Sequence, residues 1–274
     1  MNKQIVLLLM SFMMGISYAQ VKVKINDDIE GERFTLKRDW GNLSYEVFGK
    51  GDPLLILHGN GGSVKSRYQI IPSLLEDYQI IAVDSRCHGE SSCPEGALDY
   101  FEMADDVIAL MNTLGHNKYS LWGHSDGGIL GLIIGYKQTN KIDRMLISGG
   151  NTKLSGLEPE LVAIMENYEQ IPDPKLRKQI ALMVNQKEIP MDSIRKINVP
   201  VMLVVGDRDA VLMEHTMEIF KALPMSNLCV IPASSHFIDP KHIVKRIKEF
   251  RRPFTAPSTV KIATEMAKSM LKHN

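Results

Sequence analysis

Ser125, Asp209 and His236 are the residues whose types and order could perform acyl transfer. Ser125 stands in Gly123-His-Ser-Asp-Gly127, a G-x-S-x-G pattern between a strand-like run, Lys118 to Trp122, and an apolar run that begins at Ile129. That strand, tight turn and helix context is what a nucleophile elbow requires. A serine on so sharp a turn takes a strained backbone, and its neighbours two residues away must be small, as Gly123 and Gly127 are. A serine hydroxyl is a weak nucleophile, so it needs a histidine base and a carboxylate to hold that histidine's tautomer. Both are expected in loops at the carboxyl ends of later strands. Asp209 follows the run Val201 to Val205, and His236 follows Leu228 to Ile231. Asp207 competes for the acid role. His242 competes for the base, but it falls in a helical pattern with Lys241 and Lys245 and reads as solvated.

The elements that must position these residues follow from hydrophobic periodicity. Val21 to Asn26 reads as a loose arm, and Phe34–Lys37 and Leu43–Phe48 as a hairpin turning at Trp40-Gly-Asn42. Leu54–Leu57, Gln79–Val83, the elbow strand, Arg144–Ser148, Pro200–Val205 and Leu228–Ile231 read as sheet strands, the continuous apolar runs among them being buried on both faces. Between them, Ser63–Asp77, Tyr100–Leu114, Glu214–Leu223 and Pro240–Phe250 carry helical spacing. Such alternation predicts a mostly parallel sheet covered on both faces. From Asn151 to Asn198, four prolines and two modest helical stripes interrupt the pattern, which predicts an insertion rather than another sheet layer.

Four segments together make the chain resemble an α/β-hydrolase-fold serine hydrolase, of the esterase and lipase kind with a small lid, across roughly Phe34 to Phe250. They are His58-Gly-Asn-Gly-Gly62, Asp84-Ser-Arg-Cys-His-Gly89 with Ser91, Gly123-His-Ser-Asp-Gly-Gly128, and Gly206-Asp-Arg-Asp209 paired with Ser235-His-Phe237. The resemblance implies that Asp209, third after the strand-end glycine, is the acid. It also implies that the backbone N–H groups of Asn60, with Gly61 as the near alternative, and of Asp126 receive the oxyanion, the latter at a helix start whose dipole favours negative charge. Cys87 departs from the pattern, since similar proteins have glycine there. His58, His88 and His124 are expected to hold loop backbone by hydrogen bonds.

The expected reaction is hydrolysis of a small or medium carboxylic ester through an acyl-enzyme. The same triad also serves carbon–carbon bond hydrolases, peptidases and acyltransferases, and a non-catalytic binding protein on the same scaffold is the reading of a different class. Serine at the elbow argues against epoxide hydrolase and dehalogenase chemistry, which in this family uses aspartate. The insertion 151–198 is expected to act as a helical lid between core parts 20–150 and 199–252. Its apolar residues, with Val211 and Phe237, are expected to line the substrate pocket. No cofactor and no metal are expected: no Cys or His cluster has zinc spacing, and Gly59-Asn-Gly-Gly62 lacks the Gly-Lys-Ser/Thr ending of a phosphate loop.

Thirty-two basic and 32 acidic residues balance, which removes bulk electrostatic attraction to nucleic acid, and 44% hydrophobic composition supports a large core. Met1-Asn-Lys3, an apolar run Ile5 to Ile16 and Ser17-Tyr-Ala19 describe a signal peptide (1–19) cleaved after Ala19, with export to a periplasmic or extracellular location. The run is too short for a stable membrane span. In an oxidising compartment Cys87 and Cys93 could bridge a loop, or all three cysteines could remain free thiols. The tail 253–274 carries Ile262, Met266, Met270 and Leu271 on an amphipathic stripe. That stripe is expected to dock on its own domain, to form a homodimer contact, or to touch a membrane surface.

Overall fold

The computed structural model describes residues 21–251 and 259–272, so the expected signal peptide and most of the linker to the tail helix lie outside the described residues. In chain order the strands are β1 (Val21–Lys24), β2 (Glu30–Arg38), β3 (Gly41–Phe48), β4 (Asp52–Leu57), β5 (Tyr78–Val83), β6 (Tyr119–His124), β7 (Ile142–Ser148), β8 (Val201–Arg208) and β9 (Ser226–Ser235). The helices are α1 (Tyr100–Thr113), α2 (Asp126–Lys137), α3 (Pro159–Met165), α4 (Pro174–Val184), α5 (Met191–Ile194), α6 (Met213–Ala222), α7 (Pro240–Phe250) and α8 (Thr259–Lys272).

The strands form one sheet in the order β1-β2-β3-β5-β4-β6-β7-β8-β9. The pairs from β1 to β5 are antiparallel and the rest parallel. Alternation along each strand sorts the core into two layers. Leu55, Leu57, Ile81 and Val83 face the layer made with α1 and α2, whereas Leu54, Ile56, Ile80 and Ala82 face α7 and the segment after β4. Because both faces are covered, these strands read as unbroken apolar runs. The chain has the α/β-hydrolase fold, a mostly parallel sheet flanked by helices.

Two expectations are corrected. Val21–Lys24 is no loose arm but an edge strand, paired antiparallel with Glu30–Arg33 of β2. Ser63–Asp77 is no α-helix but two 3₁₀ turns, Val64–Arg67 and Ile71–Leu74. Pro72 lies in the second turn, where it removes a backbone donor and disfavours the residue before it from continuing a helix. Between β7 and β8 the expected helical stripes appear as α3 and α4, with the shorter α5 beyond them. Asp173 caps α4 by accepting from Lys175 and Leu176 N–H.

The loop after β5 is fastened from both sides. Arg86 donates to Asp106 (2.5 Å) and Glu102 (2.6 Å) of α1, and Asp106 also accepts from Arg38 (3.0 Å) and the Trp40 indole (2.9 Å). Cys87 and Cys93 are joined in a disulfide, and Cys229 is a free thiol. Cys87 occupies the left-handed region at φ 64°, a backbone conformation that glycine adopts without strain. The tail forms α8 with Met266 and Met270 55% and 66% exposed, so these two side chains are not buried by docking on the domain. No helix among the described residues is long and apolar enough to cross a membrane. Reducing the disulfide, or replacing Cys93 with serine, is expected to lower stability by about 2 kcal/mol from the loop-closure entropy returned to the unfolded chain, read as a shift in the urea unfolding midpoint.

Candidate active site

Ser125 is forced outward by its own backbone. At φ 55° and ψ −120° it caps α2 immediately after β6, and its N–H is tied to Ser148 O (2.8 Å) at the end of β7. No larger residue fits on either side. A Cβ on Gly123 would lie 2.1 Å from Gly127 O, and one on Gly127 would lie 2.3 Å from Leu57 O. The two glycines thus let β6, α2 and β4 close to backbone contact, and the serine takes up the turn between them.

The structure brings Ser125, His236 and Asp209 together. His236 Nε2 is 2.9 Å from Ser125 Oγ, and His236 Nδ1 is 2.6 Å from Asp209 Oδ1. Asp209 also accepts from Val211 N–H (3.0 Å) and Gly206 N–H (3.4 Å). Burial acts to raise its pKa, but the hydrogen bond and charge of His236 and these backbone donors outweigh it and hold the carboxyl below its ordinary value. Asp207 points elsewhere, accepting from Ala233 and Ser234 N–H and so fastening the end of β8 to β9. His242 lies on α7 and takes no part in these hydrogen bonds.

Beside the serine, Asn60 and Asp126 present N–H groups with no acceptor among the described residues, Asp126 being the first residue of its helix. The Gly61 alternative is committed elsewhere, since its N–H donates to His88 Nε2 (3.1 Å). Three histidines hold the surrounding loops. His58 Nε2 accepts from Ser85 N–H, His88 takes Gly61 N–H, and His124 Nδ1 lies 3.3 Å from Ser148 Oγ. Burial pushes the first two down to about 4 and the third to about 3, so all three stay neutral at pH 7, which leaves His58 and His88 the unprotonated nitrogen that accepts these N–H groups.

A cleft of about 750 Å³ opens over Ser125 and His236. Leu157, Leu161, Ile164, Met165, Ile180 and Met183 from the segment between β7 and β8 form its apolar wall. Phe237 stands at its edge, 82% exposed, with its ring 5.6 Å from that of His236. Val211 is a correction. It is 3% exposed, packed behind the wall on Leu157 and Met165, and its neighbour Ala210 lines the cleft instead. No group of three His, Cys, Asp or Glu side chains able to hold a metal occurs among the described residues.

Gln179 and the side chain of Asp126 went unnoticed in the sequence. Asn60 Nδ2 donates both to Asp126 Oδ2 and to Gln179 O (2.9 Å each), while Gln179 Nε2 donates to Cys87 O (2.7 Å). A glutamine on the apolar stripe of α4, between Leu176 and Met183, was the available signal. Asp126 Oδ1 and the nearby Tyr100 hydroxyl are buried without a hydrogen bond of good geometry. Burial raises the Asp126 pKa to about 6 from 3.8, against the opposing pull of Asn60, Tyr100 and His236. Between these values the unfolded chain ionises while the native carboxyl keeps its proton, so stability falls as pH rises through that window. Asp126→Asn is therefore expected to stabilise the protein at pH 8 by up to about 3 kcal/mol more than at pH 3, measured by urea unfolding across pH.

Comparison with known proteins supports the fold. A family profile described as the alpha/beta hydrolase fold matches residues 52–172. The soluble epoxide hydrolase of Corynebacterium sp. (strain C12) is 33% identical over 129 residues, 46% of this chain and 45% of that protein. The sn-1-specific diacylglycerol lipase ABHD11 of Danio rerio is 31% identical over 138 residues, 48% and 43% of the two chains. The matches span less than half the length of either relative. The crystal structure of MGS-M2, an alpha/beta hydrolase enzyme from a Medee basin deep-sea metagenome library, superposes with a TM-score of 0.72 at 16% identity, covering 82% of this chain and 99% of that one. The sheet order, the serine held between β6 and α2, and the profile match across both agree in the α/β-hydrolase fold.

Proposed function

We propose that the protein is a serine hydrolase that cleaves a carboxylic ester of small or medium size. The observation that carries this reading is the unbroken hydrogen-bonded chain Asp209–His236–Ser125 opening into an apolar cleft. His236 Nε2 takes the Ser125 proton as Oγ attacks the ester carbonyl, and Asp209 steadies the imidazolium that forms. The tetrahedral oxygen takes its charge beside the N–H groups of Asn60 and Asp126, and losing one such donor typically costs about 3 to 4 kcal/mol. His236 then protonates the departing alcohol, and the reverse sequence with water releases the acid. Serine in place of aspartate at the elbow favours ester hydrolysis over the epoxide chemistry named for the Corynebacterium relative. The diacylglycerol lipase named for the Danio rerio relative supports an ester substrate.

The cleft volume lies within the range of about 300 to 1,000 Å³ that encloses small ligands, and its mostly aliphatic wall favours an apolar acyl or alcohol group. The segment between β7 and β8 serves as the lid that selects the substrate. Export is part of the same proposal, supported by the leader sequence and by the Cys87–Cys93 bridge, which persists in an oxidising compartment.

Wild-type protein is expected to react with a fluorophosphonate probe and to hydrolyse p-nitrophenyl butyrate. Ser125→Ala should abolish both, and Asp209→Asn should lower kcat by roughly 10³- to 10⁴-fold while the fold persists by circular dichroism. Absence of labelling and turnover in the wild type, or a Ser125→Ala protein as active as the wild type, disproves the assignment. Asn60→Ala keeps its backbone N–H, and through the lost anchors to Asp126 and Gln179 it should reduce kcat by no more than about tenfold.

A further inference from the structure

Arg67 ends the first 3₁₀ turn after β4, where its side chain is half-buried in the wall of the cleft. Its position differs from that of every other arginine withdrawn from solvent among the described residues. Arg33, Arg38, Arg86, Arg144 and Arg246 each meet a carboxylate, and Arg177 donates to the carbonyl of Ile171. Arg67 has neither kind of partner. Its Nε donates to the neutral Ser66 hydroxyl (3.2 Å), its guanidinium lies 5.5 Å from the centre of the Trp122 ring, and Nη1 and Nη2 meet no protein oxygen among the described residues.

A cation drawn out of water without a counter-charge is costly, and burial alone pushes the Arg67 pKa downward. The cost is retained where it matters for binding. Ser66, Arg67, His124 and Phe237 form the partition between the main cleft, which holds Ser125 and His236, and a smaller pocket of about 190 Å³ floored by Trp122 and Ile243. The acid nearest in that smaller pocket, Asp239, is already engaged, accepting from Lys241 N–H and pairing with Lys241 Nζ at 2.9 Å. The open edge of the guanidinium therefore serves the cavity and not the protein. A planar fork with both terminal nitrogens unengaged matches a carboxylate in two-point contact, and the Trp122 face below it restrains the plane of the fork.

We propose that Arg67 is an anion-binding subsite of the cleft and that the substrate is an ester carrying a free carboxylate, whose apolar chain lies along the aliphatic wall while the carboxylate meets Arg67. The proposal rests on the hydrolase reading and narrows it to acidic esters.

Two matched pairs test it, one for each side of the scissile bond: p-nitrophenyl hemiglutarate against p-nitrophenyl valerate, and butyryl glycolate against butyryl glycolamide. Wild-type kcat/KM is expected to favour the carboxylate member of one pair by at least tenfold, mostly through a lower KM, and the preference should shrink as salt is raised. Arg67→Met should collapse that ratio to within about threefold, and Arg67→Lys should keep part of it without the two-point contact. The ratio is internal to each protein, so a partly unfolded variant does not mimic the result. Equal turnover of both members of both pairs in the wild type, or an Arg67→Met protein that keeps the wild-type ratio, overturns the subsite and leaves ester hydrolysis standing. Failure of the wild type to hydrolyse any of the four or to take the fluorophosphonate label overturns the hydrolase reading itself, and this one with it.

Discussion

Backbone contact at the elbow is the constraint on which the rest of the site depends. Gly123 and Gly127 are packed so closely against Gly127 O and Leu57 O that neither could carry even a methyl group without displacing main chain. That closeness leaves Ser125 at positive φ with its hydroxyl clear of the sheet, and it brings the start of α2 alongside the loop after β4. Ser125, proposed as the nucleophile, and the N–H groups of Asn60 and Asp126 beside it are therefore located by one steric fit. A gain in side-chain volume at either glycine would move all three groups together.

Around that fit the protein uses neutral polar groups to hold charged chemistry. His58, His88 and His124 are kept uncharged by burial, so they add no charge next to His236, and His58 and His88 each offer a fixed acceptor to a loop N–H. Asp126 is a different case, a carboxyl whose ionisation is opposed by burial yet whose oxygen anchors Asn60. Asn60 in turn reaches Gln179 O, and Gln179 reaches Cys87 O. Helix α4 and the loop beside the serine are thereby parts of one hydrogen-bonded unit, and the disulfide-closed loop is its fixed end.

What could be read from the sequence were the features whose cause is local. Leu54–Leu57 and Val201–Val205 showed as strands because burial on both faces leaves no polar residue to mask them, and Gly123-His-Ser-Asp-Gly127 showed because its steric demand falls within five residues. The loop positions of Asp209 and His236 followed from the strands before them. Features set by distant contacts were hidden. Val21–Lys24 is too short to signal a strand without β2 beside it, and Pro72 turns a helical stripe into 3₁₀ turns without changing its apolar spacing. The apolar character of Val211 announced burial but not on which side of the cleft wall. Arg67 and Gln179 look like ordinary surface residues until the chain brings Trp122 and Cys87 against them.

The sequence distance between serine and histidine has a consequence for how the protein comes into being. His236 lies 111 residues after Ser125, beyond the segment that walls the cleft and beyond β8, and it follows β9, the last strand of the sheet. For a chain made from its N-terminus, the elbow can form while its hydroxyl is still an ordinary alcohol with no base in reach. On the proposed mechanism Ser125 gains its base only once β9 has docked beside β8. The proposed nucleophile thus stays without its base until the last strand is in place, a delay set by topology.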